Sequence, residues 1–116
     1  MQSEHFSQWR TAVKLLYMKL QEFRATLENS APPPELPLFL TALWWDAKGD
    51  WQRAHECAQQ GETREHAWVH AYLHRKEGDA ANAHYWYRQA GRPIASGALN
   101  DEWTRIVQAL LANQKS

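Results

Sequence analysis

Phe6, Trp9, Val13, Leu16, Leu20, Phe23 and Leu27 follow one another at steps of three and four without a miss, the spacing that gathers side chains on one face of an α-helix. Ser3 and Glu4 suit the start of that helix, one by capping and the other by its charge near the positive end. Asn29-Ser30-Ala31-Pro32-Pro33-Pro34 stops it, because proline has no amide hydrogen and clashes with the preceding turn. The pattern predicts one long N-terminal helix within residues 1–29. Pro37 suits a first helical turn, and Leu38, Phe39, Ala42, Leu43, Trp44 and Trp45 continue it as far as Gly49. Asp50 caps a helix through Trp51, Ala54 and Ala58, with Gly61 as its left-handed stop. Thr63 caps the next, through Trp68, Ala71, Tyr72 and His74 to Glu77. Gly78 breaks the chain again, Asp79 caps a helix with Ala83, Trp86, Tyr87 and Ala90, and Gly91 and Pro93 end it. After a short loop, Trp103, Ile106, Val107, Leu110 and Leu111 share one face of a last helix over 100–114. The expectation is a single all-α domain of about six helices and no strand.

Shifting the chain by 29 residues lays Ala42 on Ala71, Gly49 on Gly78, Asp50 on Asp79, Ala54 on Ala83, His55 on His84 and Gln60 on Gln89. Each Gly-Asp pair turns the chain and caps the following helix in one step, and the matched alanines let two helices approach closely. Gly78, Asp79, Ala83, Tyr87 and Ala90, with Pro93 beyond them, resemble the helix-turn-helix unit of the tetratricopeptide repeat (TPR). The earlier copy, Gly49, Asp50, Ala54 and Ala58, carries Ala58 where an aromatic is usual, and the offset of 29 falls short of the family's 34. The resemblance covers about residues 36–93 and implies two TPR-like hairpins. Two repeats are fewer than the three or so that bury a continuous core, so the N-terminal helix and the 100–114 helix are expected to cap them. The resemblance also implies a groove lined by the first helices of the repeats, with Leu36, Phe39, Leu43 and Asp46 on one side and Glu65, Trp68, Tyr72, Arg75 and Lys76 on the other.

With 116 residues, 13 basic and 13 acidic side chains and no formal net charge at pH 7, the chain has the length of one domain and lacks the positive excess that a nucleic-acid or anionic-membrane footprint needs. Its longest apolar runs are far short of the roughly 20 residues of a membrane span. Met1-Gln2-Ser3-Glu4-His5 does not read as a secretory signal. Cys57 is the single cysteine, which excludes an intramolecular disulfide and a thiolate metal cluster. The expected setting is the cytoplasm.

His66, His70 and His74 recur every four residues on one helix, and His55 and His84 hold equivalent places in the two second helices. Imidazoles at i and i+4 can chelate zinc, but the TPR resemblance places His70 and His74 against a neighbouring helix as half-buried hydrogen-bonding residues. No HExxH motif, nucleophile elbow or phosphate loop is present, and Cys57 reads as a small packed residue. The sequence therefore points to no catalytic residue, no metal and no cofactor. The expected role is a non-enzymatic interaction module for a protein or peptide of unknown identity. Phe39, Leu43, Trp68 and Tyr72 would supply apolar contact, and Arg75 and Lys76 would clamp a carboxylate. The alternatives are a homo-oligomeric structural protein, built on the seam of the first helix, and a small-molecule or metal-binding protein using the histidine stripe. The Phe and Trp in that seam, where coiled coils prefer branched aliphatics, favour a face packed on the rest of the domain.

Overall fold

The computed structural model describes residues 18–114. They form six helices in the order α1 (Leu20–Thr26), α2 (Leu38–Ala47), α3 (Trp51–Ala58), α4 (Arg64–Glu77), α5 (Ala80–Ala90) and α6 (Leu99–Asn113), with no strand among the described residues. The all-α architecture expected from the periodicity is therefore the architecture found. None of the helices described is long and apolar enough to cross a membrane.

The two glycine-aspartate corners are built alike. Gly49 and Gly78 both take positive φ, 85° and 89°, a conformation that costs glycine nothing and other residues a steric clash. In each, the aspartate N–H donates back five residues, Asp50 to Trp45 O and Asp79 to His74 O, both at 2.9 Å. The aspartate carboxylates then cap the next helix, Asp50 accepting from the Arg53 N–H at 3.0 Å and Asp79 from the Asn82 N–H at 3.2 Å. Helices α2 and α3 fold into one antiparallel pair and α4 and α5 into another, while α3 and α2 both pack on α4. The contact is close because Ala42, Ala54, Ala58, Ala71 and Ala83 are all essentially buried.

Two local expectations are corrected. The long N-terminal helix is not continuous across Met18 and Lys19, which are not helical. Lys19 is extended and stands at the start of α1, its backbone N–H held by Glu22 Oε1 at 3.0 Å. A carboxylate three residues ahead thus takes the amide that a through-going helix would have used, the back half of a capping box. The seam positions Phe6, Trp9, Val13 and Leu16, with Ser3 and Glu4, lie outside the described residues. Gly61, the second correction, is not a left-handed stop: α3 ends with Gln59 in right-handed geometry, and Gly61 is not among the glycines of positive φ. Its glycine is required for space, because a Cβ there would stand 2.2 Å from Cε1 of the His66 ring.

The core runs from α1 through both hairpins to α6 and is built on rings whose polar atoms are satisfied. Trp44 donates to Thr26 Oγ1 at 3.1 Å, Trp51 to Leu73 O at 2.9 Å and Trp103 to Leu43 O at 3.0 Å. Helix α6 lies across α2 and α4 and also touches α1, burying Trp103, Ile106, Val107, Leu110 and Leu111. Five such side chains at about 1.5–3 kcal/mol each contribute on the order of 10 kcal/mol, as much as a whole domain's net stability. Helix α6 is therefore a permanent wall of the fold.

Candidate functional site

Helix α6 packs on the face that α2 and α4 share, which decides what the groove residues can do. Leu43 is fully buried and Tyr72 is 2% exposed, so neither presents a surface to a partner; both became core when α6 filled the groove. Phe39 is half-buried, edge-on to the His66 ring with centroids 5.3 Å apart. Trp68, also half-buried, lies beneath the Arg92 guanidinium, 3.8 Å from its ring centre. The six residues expected to form one binding surface are thus divided among separate places.

Arg75 and Lys76 do hold carboxylates, but those of the chain itself. Arg75 Nη1 donates to Glu102 Oε1 at 2.8 Å, its Nη2 donates to the Gly97 carbonyl, and the Tyr87 hydroxyl donates to Glu102 Oε2. Glu102 is buried, and a buried carboxylate is tolerated only with such a set of donors. Lys76 Nζ donates to Asp46 Oδ1 and the Tyr72 hydroxyl to Asp46 Oδ2, both at 2.8 Å. Burial, together with the neighbouring carboxylates, pushes both tyrosine hydroxyls well above their ordinary pKa, so each remains a proton donor.

One part of the shared face stays open. A cleft of about 440 Å³ is lined by Arg24, Leu27, Asp46, Tyr72, Lys76, Asn100 and Trp103, among others. Arg24, exposed at its rim, donates to Thr104 Oγ1 at 2.9 Å and lies 5.7 Å from the centre of the Trp103 ring. Lys76 is partly exposed and fixed by the buried Asp46. Arg24, Asn100 and Trp103 carry no repeat signal, and only the packing of α1 and α6 brings them beside Lys76.

The histidine stripe divides. His66 turns toward Gly61, with Nδ1 3.0 Å from Thr63 Oγ1 and Nε2 buried without a hydrogen-bond partner. Burial lowers its pKa, with Glu65 opposing. His70 and His74 instead meet His55 of α3, and one ring nitrogen from each of the three lies within 4.8 Å of the others. His70 Nε2 and His55 Nε2 share a hydrogen bond at 3.0 Å, and His74 Nδ1 is 2.7 Å from Glu77 Oε1. The Trp51 ring stacks on His55 at 4.9 Å, and Trp86, not His84, stacks on His70 at 4.1 Å. Burial, then the charges of His55 and His74, pushes the His70 pKa down to about 4. The His55 pKa is lowered as well, by burial and then by His74, against Glu77 and Glu56. Cys57 stands next to this group in sequence, half-buried, with its thiol pKa raised by burial and then by Glu56, the opposite of an activated nucleophile.

No known protein family, curated protein or solved structure matches this chain.

Proposed function

We propose that this chain is a non-enzymatic, TPR-like interaction module of the reducing cytoplasm, which takes hold of an acidic group of a protein or peptide partner. The contact is at the open end of the α2/α4 face. The observation that carries this reading is the cleft between Arg24 and Lys76, with the Trp103 ring between helices and the buried Asp46–Tyr72 pair fixing the lysine. Arg24, exposed at the rim, and Lys76, shared with Asp46, supply charge for a carboxylate, the charge-assisted contact that anchors many interfaces. The buried Arg75–Glu102 pair gives the same chemistry in cis, one carboxylate of α6 already held by a cation of α4. The raised thiol pKa of Cys57 counts against that thiol as a nucleophile.

The test is a displayed library of random 12-residue peptides selected on the full chain. Binders are then measured by fluorescence anisotropy and by the change in tryptophan emission. Selected sequences are expected to be enriched in Asp and Glu, and Arg24→Glu should weaken them roughly tenfold, the scale of a charge-assisted hydrogen bond. Arg24 suits the test because its side chain is exposed. A library that yields no acidic enrichment, or binders indifferent to Arg24→Glu, refutes the reading.

A further inference from the structure

The three imidazoles of His55, His70 and His74 are not used by the cleft; tryptophans stack on two of them and a carboxylate holds the third. His55 sits one helical turn after Trp51, which stacks on it with an interplanar angle of 10°. The Trp51 Nε1–H is in turn tied to the Leu73 carbonyl. Trp86 stacks on His70 at 15°. The ring centroids of the three histidines are 4.7 Å, 5.1 Å and 4.8 Å apart, so they surround one point. Glu77 holds His74 Nδ1 at 2.7 Å, leaving Nε2 with a free lone pair. A carboxylate behind a histidine in this way fixes its tautomer and raises its basicity as a ligand.

From this arrangement we infer that His55, His70 and His74 form a site for one divalent transition-metal ion of the zinc class, with a fourth position open to water. An ion at about 2.0–2.1 Å from each nitrogen in tetrahedral geometry would set the nitrogens about 3.3 Å apart. The His55–His70 pair is at 3.0 Å, and the other separations, all within 4.8 Å, close by ring shifts of at most about 1.5 Å. The ring that now donates the shared Nε2 proton takes the Nδ1–H tautomer instead, so coordination needs no net loss of a proton. Three neutral imidazoles select zinc, cobalt, nickel or copper over magnesium and calcium, which take oxygen donors. Glu77 and Glu56, whose charges act on His55, offset part of the ion's charge. His70 and His74 are buried and His55 is half-exposed, which gives the ion its way in. The site joins α3 to α4, one helix from each hairpin, so the ion clips the two hairpins together.

The experiment uses the full chain stripped with EDTA. Zn²⁺ uptake is followed by calorimetry, and Co²⁺ uptake by its visible absorption and by quenching of tryptophan emission, Trp51 and Trp86 being stacked on two of the ligands. One ion per chain is expected, with a rise in melting temperature and with the ring proton signals of His55, His70 and His74 shifting while those of His66 and His84 stay. His55→Gln should abolish the one-per-chain event with the far-UV spectrum unchanged, and His84→Gln should leave it intact. Glu77→Gln, at an exposed carboxylate, should weaken uptake about tenfold, a readout that survives even if His55→Gln unfolds. Absence of saturable uptake, uptake undiminished in both His55→Gln and Glu77→Gln, or shifts confined to other histidines would overturn the assignment. None of these outcomes touches peptide binding at Arg24 and Lys76.

Discussion

Acidification should destabilise this domain through its buried imidazoles. His70 has a pKa of about 4 in the folded chain against 6.5 for an ordinary histidine. The folded state thus holds the ring neutral where the unfolded chain binds a proton. Stability tied to this group is fully present above the unfolded value and is lost as pH falls from 6.5 toward 4. At about pH 5 the unfolded ring is almost wholly protonated and the folded ring almost wholly neutral, which favours unfolding by about 2 kcal/mol relative to about pH 7.5. His55 and His66 are shifted the same way and add to the loss, moderated at His55 by the charges of Glu77 and Glu56. The assay is urea unfolding of the metal-free chain at the two pH values, wild type against His70→Phe, whose ring keeps the stack on Trp86. The variant should be weaker at the higher pH, having lost the His55 hydrogen bond, and should lose about 2 kcal/mol less between the two. Parallel losses in both proteins would show that His70 is accessible to protons in the native state and refute the argument.

Gly61→Ala should cost about 1–3 kcal/mol, the scale of overpacking, because its Cβ would stand 2.2 Å from the His66 ring; thermal melts test this, and a neutral result would mean that the ring moves aside freely. Glu102→Ala should cost about 3–5 kcal/mol, since it leaves Arg75 and the buried Tyr87 hydroxyl without their shared carboxylate. Chemical denaturation of that variant giving a loss below about 1 kcal/mol would show that water replaces the carboxylate.

The chain's local chemistry determined much on its own. Helical periodicity, the Gly49-Asp50 and Gly78-Asp79 corners and the Thr63 cap depend on residues within a few positions of one another, so the helices and their turns were legible in the sequence. Gly61 misled for the same reason. Glycine after a helix suggests a left-handed stop, and nothing local tells that a ring five residues ahead needs the space. The histidine stripe was likewise legible as spacing, but i, i+4 periodicity only names a helix face. Packing turned His66 toward Gly61 and brought His55 from α3 to His70 and His74. The expected binding surface was divided by α6, because burying five large apolar side chains outweighs keeping a groove open. What a helix is made of is written in its own residues; which partners its faces meet is set by the sum of burial over the whole chain, and only the tertiary structure carries that sum.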